Sequence, residues 1–238
     1  MMIVIIRQAA LQDVEGLARV HVDTWKTAYR GIISDEVLDR MSYSGRSERW
    51  KQTILEPEGK YIFVAVIDYQ EDSFGKTKDS SAWGHVATSN GMSKDGMFND
   101  EISKAPSEGL SNAPPGVPGI APFTCLSGVV GFVMGGLNRD EDANVFKGEI
   151  YGIYILDEYQ GKGTGRRLFI RGVQSLLQDG MDSVKVWVLA DNVKARGFYE
   201  RLGGKPVDAR DIEIGGKWYA EVAYGWHDAT VFAASQHP

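Results

Sequence analysis

The chain has 238 residues, 43% of them hydrophobic and 24% charged, and 26 Lys and Arg against 32 Asp and Glu give a formal net charge of −6. This composition supports a folded core and excludes global disorder, and the acidic balance speaks against nucleic-acid or anionic-membrane partners. One cysteine, Cys125, excludes an internal disulfide framework and fits a reducing compartment. The terminal apolar run, residues 1–6, is too short for a signal-peptide core or a membrane span, so a cytoplasmic protein is expected.

In chain order, residues 2–6 read as a β-branched strand, followed by Val14, Leu17, Ala18, His21, Trp25 and Ala28 at helical spacing. Asp13 and Glu15 suit the positive end of that helix and Gly31 its termination. Two shorter helices are expected over 35–41 and 45–55, capped by Ser34 and Ser44. Strand signals follow at 61–67, 128–134 and 149–156. Between the first two lies 71–127, with five of the eight prolines, seven glycines and nine serines. It reads as an insertion in a single domain spanning 1–238. Within it, 82–88 looks strand-like and 112–119 extended.

Beyond the third of these strands the period changes. Residues 166–178 put Leu168, Phe169, Val173, Leu176 and Leu177 on one helical face, and Gly180 stops the helix. A strand at 183–189, a helix at 193–202 broken by Gly203-Gly204, and strands at 206–214 and 217–226 around Gly215-Gly216 complete the chain. The expected fold is α/β, a mixed sheet with helices on both faces.

The most informative stretch is Tyr159-Gln160-Gly161-Lys162-Gly163-Thr164-Gly165-Arg166, between a strand and a helix. Alternate glycines let the backbone approach a ligand, and the following helix adds a positive dipole end, so the loop suits a phosphate. It is not a P-loop, because Leu156 and Gly163 stand where that pattern needs Gly and Ser or Thr. It is not a dinucleotide fingerprint either, since Arg166 or Leu168 replaces the third glycine.

Gln160, Gly163 and Gly165 do match the Q/R-x-x-G-x-G/A signature of the GCN5-related N-acetyltransferase (GNAT) superfamily, which the chain resembles. Residues 149–163 are similar to that family's central strand and turn, 191–203 to its Asn-x-x-Ala-x-x-Phe-Tyr-x-x-x-Gly motif, and 7–50 to its first two helices. Gly204 departs from the aromatic residue that relatives commonly carry there, and Thr164 from an aliphatic one. The resemblance implies a mostly antiparallel central sheet and an acetyl-CoA-dependent N-acetyltransferase. The acceptor would be a primary amine of a small molecule or an exposed protein amine. A coenzyme-binding module without transfer chemistry is the alternative, and a homodimer is compatible with either.

By the same resemblance, the coenzyme pyrophosphate would sit on backbone N–H groups from Gly161 through Lys162, Gly163, Thr164 and Gly165 to Arg166, next to Gln160. Ile153, Tyr154 and Ile155 would pair with the pantetheine arm, and an N–H near Tyr154 or Ile155 would polarise the thioester carbonyl. Asn192 caps the helix carrying Tyr199 and would touch the coenzyme. Tyr199 is the expected acid for the leaving thiolate, since a phenol near pKa 10 can protonate a thiolate whose acid lies near 8.5. Glu149 is the expected base, with His21 and His85 as alternatives, His21 lying on an apolar face that suits a satisfied core histidine. Trp25 and Tyr29, one helical turn apart, would wall the acceptor pocket. No residue spacing suggests a metal site, and no covalent enzyme intermediate is required.

Overall fold

In a computed structural model the described residues are 3–68, 128–140 and 145–234. The expected insertion 71–127, with its strand-like stretch, His85 and Cys125, lies outside them. Among the described residues are seven strands: β1 (Ile3–Gln8), β2 (Tyr61–Asp68), β3 (Val129–Leu137), β4 (Gly148–Ile155), β5 (Val184–Leu189), β6 (Lys205–Ile214) and β7 (Lys217–Trp226). They form one sheet ordered β1-β2-β3-β4-β5-β7-β6, and every pair is antiparallel except β4 with β5. The helices are α1 (Val14–Ala28), α2 (Asp35–Arg40), α3 (Tyr43–Leu55), α4 (Thr164–Gln178) and α5 (Val193–Arg201).

The apolar stripes seen in the sequence become two cores on opposite sheet faces. Leu168, Phe169, Val173 and Leu176 of α4 pack with Val133, Ile150 and Val186. Leu17, Ala18 and Val20 of α1 pack with Trp50 of α3, Val64 and Phe132. A smaller cluster joins Trp25 to Val37, Leu38, Leu189 and Ile214.

Local details differ in two places. Ser42, not Ser44, caps α3, accepting from the Gly45 N–H at 3.1 Å, and the Ser34 side chain makes no capping bond. Asp13 sits just before α1, where it accepts from the Ala10 N–H at 2.8 Å and from both Arg7 guanidinium NH groups at 2.6 and 2.7 Å. The departure at Gly204 also has a packing reason. A Cβ there would lie 2.7 Å from the Trp226 ring, so β7 already fills the space that a side chain would need.

Two irregularities open the sheet. The β3–β4 register shifts at Met134/Gly135, leaving Tyr151 as an extra residue on β4. β4 and β5 pair only through Gly148–Val184, Glu149–Lys185 and Ile150–Val186, after which no residue pairs are formed. The C-terminal halves of two neighbouring parallel strands therefore splay, exposing backbone groups in the middle of a sheet.

Candidate active site

A cleft of about 1120 Å³ occupies this splay and collects residues from α1, β4, the glycine loop, β5, α5, β6 and β7. At one end lies the loop. Gly161 and Gly163 have φ of +71° and +81°, a backbone that other residues adopt only with strain. A Cβ on Gly163 would meet nothing within 4 Å, so the space in front of the loop is open. Arg167 is the first residue of α4 to donate back, to the Gly163 carbonyl at 3.1 Å. The preceding N–H groups of Thr164, Gly165 and Arg166 are left for a ligand at the positive end of the helix dipole. The Lys162 ammonium lies 5.4 Å over the Tyr159 ring and the Thr164 side chain is buried, so these two belong to the loop through their backbone. The Gln160 amide braces the turn by donating to the Ile155 carbonyl at 2.8 Å.

The splay itself presents backbone. The Leu156 N–H donates to the Val130 carbonyl at 3.0 Å, and Tyr154 is in register with Phe132. Antiparallel alternation then turns the Tyr154 amide toward β3 and those of Ile153 and Ile155 toward the gap. Of the three expected backbone donors, Ile153 and Ile155 are placed for that role, and Tyr154 contributes its ring instead.

That ring belongs to an aromatic floor. Trp25 and Tyr29 meet edge to face at 5.0 Å, and the Tyr154 ring stacks on His21 at 5.1 Å. Burial, then the phenols of Tyr154 and Tyr199, push the Tyr29 hydroxyl well above its ordinary value, while a hydrogen bond with Asn192 opposes them. Burial also raises Tyr199, with Tyr154 adding to it. Trp25, Tyr29, Tyr154, Asn192 and Tyr199 are thus neighbours around one cavity, although the sequence separates them by more than 160 positions. Asn192 performs the expected capping, its Oδ1 accepting from the Ala195 N–H at 3.1 Å.

Opposite the loop lies a charged network that sequence reasoning missed. Asp140 accepts from Lys185 Nζ, Trp187 Nε1 and an Arg210 guanidinium nitrogen, each at 2.7 Å. Burial would raise Asp140, yet these three hydrogen bonds carry it down to about 2. The Arg210 guanidinium stacks 3.9 Å from the Trp187 ring, and its Nε donates to Glu221 at 2.6 Å. The available signal was Lys185 and Trp187 alternating with valines in 184–188, a strand with one polar and one apolar face.

Glu149, the expected base, is buried and paired. It is 1% exposed, and both its oxygens accept from Arg139: the backbone N–H and Nε each reach Oε2 at 3.2 Å, and a terminal guanidinium nitrogen binds Oε1. Arg139 in turn lies 4.1 Å over the Tyr151 ring. His21 is a core residue as expected, 5% exposed and ringed by Trp25, Trp50, Phe132 and Tyr154. It is not satisfied, however, since neither ring nitrogen has a hydrogen-bond partner among the described residues. Burial and, secondarily, the Arg46 charge hold its pKa well below the usual histidine range. Among the described residues no group of three or more His, Cys, Asp or Glu could hold a metal ion, and no helix is long and apolar enough to cross a membrane.

Comparisons with known proteins agree with this geometry. The model of the acetyltransferase (GNAT) family matches residues 100–204. The uncharacterised N-acetyltransferase YuaI of Bacillus subtilis is 29% identical over 94% of both chains. The mycothiol acetyltransferase of Kocuria rhizophila is 35% identical over 32% of this chain, a match that spans only 22% of that enzyme. Among solved structures, the PaiA N-acetyltransferase of Thermoplasma acidophilum in complex with coenzyme A superposes with a TM-score of 0.53 at 19% identity, covering 92% of this chain and 98% of that one. Arabidopsis thaliana NAA60 in complex with acetyl-CoA gives 0.54 at 14% identity, covering 94% and 98%. Sequence motifs, sheet topology and these matches together support membership of the GNAT superfamily. The relatives that match by sequence are named as acetyltransferases.

Proposed function

We propose that the protein transfers the acetyl group of acetyl-CoA directly to a primary amine, of a small molecule or of an exposed protein or peptide, in the cytoplasm. The observation that carries this reading is the splay of β4 from β5 beside an open glycine loop. Free N–H groups at the start of α4 suit the diphosphate of coenzyme A, and gap-facing amides of Ile153 and Ile155 suit the amides of its extended arm. When bound, acetyl-CoA supplies the activated thioester.

The protein's own groups then have separate tasks. An Ile153 or Ile155 N–H aimed at the thioester oxygen stabilises negative charge as it develops there. Tyr199, whose phenol burial keeps protonated, donates to the departing sulfur. Trp25, Tyr29 and Tyr154 form an apolar wall that excludes water from the acyl group and orients the acceptor. Glu149 holds Arg139 against Tyr151 at the rim of the cleft.

A thermal-shift titration combined with an acceptor panel tests this. Acetyl-CoA should raise the melting temperature because a ligand bound by the native state alone shifts the folding equilibrium, and NAD or ATP should do so far less. Gly163→Val should abolish that shift with the fold retained, since valine resists φ near +81° while its side chain would meet no neighbour. Transfer to at least one member of a panel of polyamines, amino acids and peptides with free amino termini completes the assignment. Tight coenzyme binding with transfer to none would favour the binding-module alternative.

A further inference from the structure

Among the buried and half-buried carboxylates lining the cleft, hydrogen bonding leaves one with an open oxygen. Both Glu149 oxygens accept from Arg139, and both Asp140 oxygens are taken by Lys185, Trp187 and Arg210. Glu58 is an exposed residue of the 56–60 turn, engaged with Lys60. Glu221 is 6% exposed, and its Oε1 accepts from Arg210 Nε at 2.6 Å, whereas Oε2 has no partner among the described residues.

Its position is specific. Glu221 is paired with Leu189, the last residue of β5, and so lies one strand spacing, roughly 4.8 Å, from the edge of the splay. Paired residues share a sheet face, and Leu189 packs with Trp25 and Ile33, so Glu221 projects to the side walled by α1. Arg210, stacked on Trp187, fixes its rotamer.

We infer that Glu221, through Oε2, binds the ammonium form of the acceptor and takes the proton that must leave before attack, an inference that rests on the acetyl-transfer reading above. The ammonium gives one proton to Glu221, which passes it to solvent. The freed nitrogen lone pair forms the C–N bond, and the C–S bond breaks with its electron pair on sulfur. The amine's second proton leaves as the C–N bond forms and restores the hydroxyl proton that Tyr199 gives to sulfur. The products are the N-acetyl amide, coenzyme A as a thiol and one released proton.

The charged groups around Glu221 support this. Burial raises its pKa, Arg210 on β6 opposes that, and the negative charges of Asp140 and of Glu149 on β4 add to it. A carboxylate so placed retains affinity for a proton and is a better base than its ordinary solvated form.

The test is the pH dependence of kcat, measured with the best acceptor from the amine panel, for the wild type, Glu221→Gln, Glu221→Asp and Glu149→Gln. The wild type should lose rate as pH falls through an acidic limb whose midpoint lies above the ordinary glutamate range. Glu221→Gln keeps the bond to Arg210 and should lower kcat by ~10²-fold with no such limb, while acetyl-CoA still stabilises the protein. Glu221→Asp should be slower than wild type yet keep the limb. An unchanged rate and limb in Glu221→Gln, or loss of the limb in Glu149→Gln instead, overturns the assignment and leaves acetyl transfer intact. Absence of transfer by the wild type to any amine overturns both.

Discussion

Tyr199 is 5% exposed and its phenol is raised by burial, so across the neutral range it carries its proton and acts as a donor only. A donor at the sulfur matters to the step that breaks the C–S bond and little to coenzyme binding. Tyr199→Phe should therefore keep the acetyl-CoA dissociation constant within a few-fold and lower kcat by ~10²-fold, as steady-state kinetics and calorimetry can separate. Unchanged turnover would return the residue to packing α5 against Tyr224 and Trp226. His21 is the opposite kind of buried titratable group. Its pKa is depressed in the folded state, so below about pH 6.5 the unfolded chain binds a proton that the native state refuses, and stability falls with pH. The melting temperature of the wild type should drop between pH 7 and pH 5 more steeply than that of His21→Phe, which replaces one ring by another within the same aromatic cluster.

At the scale of elements, periodicity and glycine punctuation located the five α-helices and seven strands of the described residues, because each buries one face and the chain alternates accordingly. The loop 160–166 was equally legible, its role being local: φ above zero and a helix start are properties of a few adjacent residues. What could not be read was register. That β4 leaves β5 after Ile150, that Tyr151 is the extra residue opposite β3, and that the Tyr154 amide turns away from the gap depend on pairings between distant segments. The same holds for the acids. In sequence, Glu149, Asp140 and Glu221 are three polar residues near strand positions. Only the fold shows that Arg139 occupies the first, that three donors occupy the second, and that the third retains an oxygen. Ser42 displaced Ser44 as a cap for a related reason: α3 begins two residues earlier than its apolar pattern does.

At the scale of the whole molecule, the segment between β2 and β3 leaves and re-enters at neighbouring points. Val66 is in register with Val129, and the Ile67 N–H donates to the Gly128 carbonyl at 2.7 Å, so residues 68 and 128 are flanks of one antiparallel pair. Described residues on either side form the seven-stranded sheet, both cores and the cleft. A short turn can join strands that are already this close. Replacing 69–127 by a four-residue Asn-Gly-type turn should therefore give a protein that unfolds cooperatively and is still stabilised by acetyl-CoA. Loop-closure entropy grows by about 0.6 kcal/mol per doubling of length, so nearly four doublings removed favour the shortened chain by about 2 kcal/mol. Denaturant unfolding with and without acetyl-CoA reads both quantities. A midpoint at or above that of the full chain with coenzyme stabilisation retained would make the segment an addition to a self-sufficient domain. A lower midpoint, or loss of the coenzyme effect, would show that 69–127 supplies contacts to the core or the cleft that the paired ends do not require. The acceptor panel then adds a separate readout: a change in which amines are acetylated, at unchanged coenzyme stabilisation, would assign the segment to acceptor choice and leave the acetyl-donor half of the cleft to the splayed strands.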